Sequence, residues 1–271
     1  MLTRILTSVV LLAAFGSALM LFGRIQFAVV VAVLVILGAY EWGKLSHFSL
    51  RAAAVYAGSI TLAFGAILWL LHPIEIRKTV LEAIFGGALL LWLVALPVWL
   101  RTGVSNRPQW LLPITGLAVL LPAALAMVVM QRTQLLLALG LVWVSDTAAY
   151  FTGRALGRHK LAPEISPGKT WEGVAGAALA TAGYAIICAA LAPQLAERVQ
   201  GAAWLVYLAG AELLLLASIL GDLFESALKR QASVKDSGSL LPGHGGVLDR
   251  IDSATAVLPI AALLLHWMAK T

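Results

Sequence analysis

A dense group of charged, hydroxyl and glycine residues occupies positions 226–252, between two strongly hydrophobic segments. It reads SALKRQASVKDSGSLLPGHGGVLDRID and combines basic side chains, which can bind phosphate, with carboxylates, which can bind a divalent cation. The residues with this chemistry are Ser226, Lys229, Arg230, Lys235, Asp236, His244, Asp249, Arg250 and Asp252. In so apolar a chain, such a cluster is a candidate active site.

A carboxylate and several phosphate-binding groups recur at helical spacing where this segment begins. Asp222 and Ser226 are four residues apart, and Lys229 and Arg230 follow seven and eight residues after Asp222. One face of a helix would therefore carry them all. Glu225 is either a further acceptor beside a metal or a helix-surface partner of Lys229 four residues on, and we favour the second alternative.

Two aspartates are candidate ligands for a divalent cation. Asp249 follows the glycine-rich turn at 242–246 and lies outside the usual capping position, whereas Asp252 fits the cap of the last helix. If the last two spans are adjacent, Asp222 and Asp249 offer oxygen ligands of the type that Mg2+ takes together with substrate phosphates. His244 in the turn either contacts phosphate or ribose, or hydrogen-bonds a carbonyl, and both alternatives stay open.

A second polar stretch follows the sixth apolar segment. Asp146 is a candidate because a carboxylate near the end of a membrane helix is costly unless it is paired, hydrated or metal-bound; the alternative is a helix cap or a partner for a loop arginine. The next loop contains ISPGKTWEG (165–173), whose Ser166, Lys169 and Thr170 can bind phosphate beside a glycine that lets backbone amides approach. The earlier glycine and the strand of a P-loop are absent, so we exclude that motif.

The composition places these residues in an integral membrane protein. Of the 271 residues, 61% are hydrophobic and 12% are charged, and the mean hydropathy is +0.93, far from the averages of soluble proteins. Since a spanning helix needs about 20 apolar residues, the sequence predicts an all-α polytopic membrane protein with about nine transmembrane helices. The predicted spans are 5–22, 25–40, 52–71, 81–100, 110–130, 135–151, 173–191, 202–221 and 251–267.

The chain is predicted to form a single membrane domain over 1–271. Residues 1–130 form a mainly hydrophobic scaffold, whereas 135–267 contain the catalytic helices and loops. Basic residues favour the cytoplasmic side, which places the two loops richest in Lys and Arg, 152–172 and 225–250, in the cytoplasm. The net charge of +6 does not indicate a nucleic-acid partner, because the basic residues lie in short loops; contact with anionic membrane lipids is expected instead.

These motifs together resemble the hallmark segment of the phosphatidate cytidylyltransferases, also called CDP-diacylglycerol synthases. The similar segments are SALKR (226–230), KDSG (235–238), PGHGG (242–246), DRID (249–252), DTAAY (146–150) and SPGKTWEG (166–173). The resemblance is specific over roughly 143–253, whereas residues 1–130 resemble the family only in hydropathy.

The resemblance implies that CTP and phosphatidate condense to CDP-diacylglycerol and pyrophosphate, with Mg2+ as cofactor, at the cytoplasmic face of a bacterial inner membrane. Asp222 and Asp249 would hold the metal, with Asp146 as a third ligand or a neighbour of the ligands. The residues expected to bind phosphates or otherwise contact substrate are Ser166, Lys169, Ser226, Lys229, Arg230, Lys235, Asp236, His244 and Arg250. A homodimer is also expected from the family.

Two other functions stay open. A CTP-dependent polyprenol or dolichol kinase could use similar cations and carboxylates, but it would transfer the γ-phosphate and release CDP. An ion-coupled membrane transporter would need polar residues near mid-span and two related halves. In this sequence the charges gather at the predicted helix ends and the halves are dissimilar.

Overall fold

The computed structural model describes residues 2–71, 74–103, 110–192, 195, 197, 199–241, 243 and 245–268. Helices dominate it, as predicted. They are α1 (Leu2–Leu21), α2 (Arg24–Leu45), α3 (Leu50–Leu70), α4 (Ile74–Leu90), α5 (Leu96–Thr102), α6 (Leu111–Val129), α7 (Arg132–Leu156), α8 (Trp171–Leu191), α9 (Ala203–Gln231) and α10 (Leu248–Met268). Between α7 and α8, β1 (Lys160–Ala162) and β2 (Ser166–Thr170) pair as an antiparallel hairpin.

Within the described residues, eight helical segments are long and apolar enough to cross a membrane. One of them, Lys78–Thr102, comprises most of α4 and all of α5, because a π-helical turn at Leu91–Ala95 joins the two. Pro97, which has no N–H to donate into the helical ladder, lies just after this turn. The predicted span 5–22 falls on α1, where the described apolar segment is the shorter Leu12–Leu21. The number nine therefore stays a prediction.

Two helices are longer than their predicted spans. α7 ends at Leu156 and α9 at Gln231, whereas the hydrophobic pattern ends near 151 and 221. The 29 residues of α9 extend over about 44 Å, against about 30 Å for the hydrocarbon layer. The C-terminal turns of α9 can therefore project beyond the apolar layer, and they carry the predicted site residues from Asp222 onward.

An aromatic cluster fixes α9 against the N-terminal half of the chain. Phe224 is 1% exposed, and its ring centroid lies 6.3 Å from that of Trp42 in α2. It also lies 6.1 Å from Trp92 in the π-helical turn and 5.6 Å from Trp99 in α5. Trp42 Nε1 donates to the Leu112 carbonyl at 2.8 Å, which ties α2 to α6. Rings from three other helical segments thus pack against α9.

Small residues bring the start of α8 close to α7. A side chain at Gly173 would come within 2.9 Å of the Ala149 carbonyl, and one at Gly176 would meet the Thr152 side chain. Thr170 caps the helix, because its Oγ1 accepts from Gly173 N at 3.1 Å. These glycines are used for packing within the chain, and the expected homodimer stays a prediction.

Candidate active site

One face of α9 carries a row of charged residues, as the sequence predicts. Ser226 Oγ donates to Asp222 Oδ1 at 3.3 Å, and Lys229 Nζ lies 2.5 Å from Glu225 Oε2. The predicted pairing of Glu225 with Lys229 is confirmed. The prediction that this pair lies on the helix surface is wrong, because the Glu225 side chain is only 5% exposed.

Lys229 connects α9 to α10. Its Nζ lies 2.6 Å from Asp249 Oδ1 as well as 2.5 Å from Glu225 Oε2. The Lys229 side chain is 14% exposed and that of Asp249 is 6% exposed. One cation and two carboxylates therefore meet where water hardly reaches and where an unpaired charge is costly. The lysine offsets part of the charge of the two carboxylates and joins the last two helices of the site.

Asp249 has both carboxylate oxygens occupied by donors. Oδ1 pairs with Lys229, whereas Oδ2 accepts from Ser237 N at 2.9 Å, from Ser237 Oγ at 3.0 Å and from Gly246 N at 2.8 Å. Gly245 has a φ of +79°, and any side chain there would run into this carboxylate. Asp249 thus folds the loop between α9 and α10 back over the start of α10.

A second group of charges surrounds Asp222. Its Oδ2 lies 2.5 Å from Lys169 Nζ, and the two side chains are 34% and 24% exposed. Asp146 of α7 and Asp252 of α10 both interact electrostatically with Asp222 and Lys169. Carboxylates from three helices therefore act on one lysine, and this surplus of acidic side chains suits a cation.

The β-hairpin brings Lys169 to α9. Arg230 Nε donates to the Ile165 carbonyl at 3.3 Å, which ties the hairpin to the end of α9. On the other side, His159 Nδ1 lies 2.7 Å from Glu172 Oε1, and the His159 N–H donates to the same carboxylate. The hairpin is held by α8 and α9, so Lys169 is presented from a fixed element and not from a free loop.

The remaining predicted residues lie around these two groups. Ser166 is half-buried in β2, whereas Lys235, Asp236 and Arg250 are exposed. Asp236 lines a cavity of about 300 Å3 between the loop after α9 and the end of α2. His244 lies outside the described residues, so its two alternatives stay open.

Two residues of the site were not predicted. Asp252 was expected to cap the last helix, but α10 begins at Leu248, so Asp252 lies in its second turn and that expectation is wrong. Glu41 lies on α2, in the half predicted to be scaffold, yet it is 1% exposed and accepts hydrogen bonds from the loop before α10. The sequence could have revealed Glu41, because it is an acidic residue inside the apolar segment Arg24–Leu45. Acidic residues within membrane spans are costly and usually have a function.

The residues around Asp222 suit a divalent cation better than those around Asp249. Among the residues that the structure describes, no group of three or more His, Cys, Asp and Glu side chains converges closely enough to hold a metal alone. In phosphate sites, however, Mg2+ takes one or two carboxylates and completes its shell with substrate phosphates and water. Asp222, one third exposed, fits this pattern. Asp249 would have to exchange Lys229 for the cation, and its role as a metal ligand stays a prediction.

Comparison with known proteins identifies the family of this chain. The model of the cytidylyltransferase family matches residues 2–268. The chain belongs to this family. A protein of Pseudomonas aeruginosa named phosphatidate cytidylyltransferase is 40% identical to this cytidylyltransferase, with 98% of this chain and 97% of the relative covered. Relatives of the same name from Haemophilus influenzae and Brucella suis are 33% and 37% identical, covering 94% and 97% of this chain and 95% and 91% of their own.

The family match is not confined to the polar C-terminal segments. It includes α1 to α6, which the sequence motifs did not reach. In this cytidylyltransferase, the N-terminal half supplies Trp42, Trp92 and Trp99 to pack α9, and it supplies Glu41 to the loop before α10. The scaffold and the site are therefore one cooperating unit.

Proposed function

We propose that this protein condenses CTP with phosphatidate to form CDP-diacylglycerol and pyrophosphate in a bacterial inner membrane. The observation that carries the proposal is the Lys169–Asp222 pair, which interacts with carboxylates of α7 and α10. The chain also matches 97% and 95% of the length of two relatives that are named for this activity. Their names favour this reaction over the kinase and transporter alternatives.

The reaction exchanges one phosphorus–oxygen bond for another. An oxygen of the phosphatidate phosphate attacks the α-phosphorus of CTP, the bond from the α-phosphorus to the α,β-bridging oxygen breaks, and pyrophosphate leaves with that oxygen. A phosphate monoester has a second pKa of about 6, so phosphatidate is already largely dianionic at neutral pH. No side chain has to remove a proton, and the work of the protein is positioning and charge neutralisation.

The exposure of each basic residue indicates how it would contribute to phosphate binding and charge neutralisation. Lys169 is partly exposed and held by Asp222, so an incoming triphosphate would offer it a second partner. Arg230 and Lys235 are exposed at the end of α9 and in the following loop, where they can bind phosphate oxygens. Lys229 is buried between two carboxylates and supplies a fixed positive charge at the wall of the site.

Asp222 is the side chain best placed to hold Mg2+, with Asp146 and Asp252 as neighbours that add negative charge. When bound, the cation would neutralise charge on the phosphate oxygens of CTP. Removing the metal with a chelator should abolish activity, and adding Mg2+ should restore it. Activity that persists after the protein has been freed of divalent cations would refute this assignment.

The placement of the site suits substrates that arrive from two phases. Asp146, Asp222 and Asp252 interact electrostatically, and they lie in the C-terminal halves of α7 and α9 and in the second turn of α10. We place this end in the cytoplasm, because CTP is dissolved there and the basic loops favour that side. The acyl chains of phosphatidate would stay in the hydrocarbon while the head group enters laterally between helices.

The experiment that tests the function uses detergent-purified protein with Mg2+, CTP and phosphatidate, and omits each component in turn. We expect pyrophosphate release and a lipid product with the mass of CDP-diacylglycerol in the complete mixture alone. Release of CDP with a polyprenol acceptor would indicate the kinase instead. The matched pair of variants is Asp222→Asn, expected to be inactive, and Glu164→Gln in the exposed hairpin turn, expected to be fully active.

A further inference from the structure

Glu41 connects the N-terminal half of the bundle to the loop that carries the site. Glu41 is 1% exposed. Oε1 accepts from Val247 N at 2.9 Å, and Oε2 accepts from Leu248 N at 2.9 Å and from Ser237 Oγ at 2.9 Å. The partners lie 196 to 207 residues away in sequence, so these bonds form only in the folded bundle.

The first two of these bonds fix the start of α10. The first N–H groups of a helix have no partner within the helix, and an anion placed there satisfies them and interacts favourably with the helix dipole. A residue of the preceding turn usually does this. In this chain a carboxylate from another helix does it, because Glu41 bonds Val247 and Leu248 at the beginning of α10. The start of α10 is thereby fixed relative to α2.

The third bond leads to Asp249. Ser237 Oγ lies 2.9 Å from Glu41 Oε2 and 3.0 Å from Asp249 Oδ2, and Ser237 is itself 4% exposed. A hydroxyl has one hydrogen, so it donates to one of the two carboxylates at a time. Side chains at Gly238 or Gly246 would collide with Glu41, so the loop leaves room for this carboxylate. Glu41 and Asp249 thus hold the same loop from opposite sides.

We propose that Glu41 is a positioning residue for the cytidylyltransferase reaction. It touches no substrate; it holds Ser237 and the start of α10 so that Asp249 presents Oδ1 to Lys229, and so that Lys229 keeps its place at the wall of the phosphate site. This inference rests on the proposed function. A buried carboxylate is costly unless it is hydrogen-bonded, and two backbone N–H groups and the Ser237 hydroxyl of the site loop satisfy Glu41 within its apolar span.

The test compares turnover with binding. Glu41→Gln keeps the size of the side chain and one acceptor oxygen, but its NH2 group cannot accept from the loop. We expect kcat to fall at least tenfold, the value for losing about one hydrogen bond to a charged group, while KM for CTP changes less than twofold. Glu82→Gln is the matched control, because Glu82 contacts His266 near the other end of α10 at 2.6 Å. Its kcat should stay within twofold of the parent.

A double-mutant cycle separates positioning from general stability. If Glu41 acts in part through Ser237, the loss of kcat in Glu41→Gln/Ser237→Ala should be smaller than the product of the two single losses, because both substitutions break the same contact between Glu41 and Ser237. Losses that multiply, or a parental kcat per folded molecule in Glu41→Gln, would overturn the proposal. If Glu41→Gln does not fold, Ser237→Ala alone decides: a parental kcat again overturns it.

Amide hydrogen exchange keeps this inference separate from the proposed reaction. Glu41→Gln should speed exchange at Val247 and Leu248, whose N–H groups lose a charged acceptor. If the parent forms no CDP-diacylglycerol but these amides exchange faster in the variant, the reaction is wrong and the anchoring by Glu41 stands. If the parent is active and the amides exchange at the parental rate, the anchoring is wrong.

Discussion

We predict a measurable loss of stability when the positive charge of Lys229 is removed from its buried contacts with Glu225 and Asp249. Lys229→Met keeps an apolar stem of similar length but removes the positive charge that contacts both carboxylates. Breaking a buried ion pair from one side costs about 3–5 kcal/mol. Asp249 keeps the donors of Ser237 and Gly246, so the cost falls mainly on Glu225. We expect the unfolding temperature to fall by roughly 10 °C, and activity to be lost.

A second substitution tells destabilisation from loss of function. Glu225→Gln, added to Lys229→Met, removes the carboxylate that the first change leaves without a counter-charge. The double variant should regain about 2–3 kcal/mol of unfolding free energy, yet it should stay inactive because the cation at the site wall is still missing. Lys160→Met, a matched change at an exposed lysine of β1, should alter stability by less than about 0.5 kcal/mol.

The assay is thermal unfolding of the detergent-purified proteins, with the parent and all variants in the same buffer. Pyrophosphate release is measured below all of the unfolding transitions. If Lys229→Met is as stable as the parent to within about 1 kcal/mol, the lysine does not compensate the buried carboxylates. If the double variant is no more stable than the single one, Glu225 carries no uncompensated charge in Lys229→Met, and the predicted role of Lys229 is wrong.

Three further substitutions test other parts of the account. Asp222→Asn should reduce activity at least 100-fold while the unfolding temperature stays near that of the parent, because the side chain is one third exposed; substantial residual turnover would contradict its role. Lys169→Gln should raise the KM for CTP about tenfold, the value of one charge-assisted contact, and an unchanged KM would exclude it from phosphate binding. Phe224→Ala should destabilise the fold by about 3–5 kcal/mol, since the ring is 1% exposed between tryptophans. A smaller loss in thermal unfolding would show that the cluster does not hold α9.

Features that depend on local spacing could be predicted from the sequence. The face of α9 that carries Asp222, Ser226 and Lys229 follows from helical periodicity, and the hydrophobic runs located eight of the spanning segments. Hydrophobicity marks only the part of a helix that fits the hydrocarbon. The hydrophobic pattern therefore could not show that α7 and α9 continue to Leu156 and Gln231. Backbone hydrogen bonds extend a helix into polar surroundings as well.

Features that depend on distant partners could not be predicted. Lys169 was recognised as a phosphate-binding residue, but its contact with Asp222 arises from the hairpin and the packing of α8 and α9. Asp252 was taken for a cap because capping depends on where the helix begins, and α10 begins four residues earlier. Glu41 lies in an apolar span, and its partners are about two hundred residues away, where no local pattern connects them.

The phosphate of CTP that enters the lipid distinguishes cytidylyl transfer from phosphoryl transfer, and labelled CTP identifies it. Purified protein is incubated with phosphatidate, Mg2+ and CTP labelled either at the α-phosphate or at the γ-phosphate, and the lipid product is extracted and counted. Attack at the α-phosphorus predicts that the α-label enters the lipid and the γ-label appears in pyrophosphate. A γ-labelled lipid, or a lipid that carries neither label, would contradict the account.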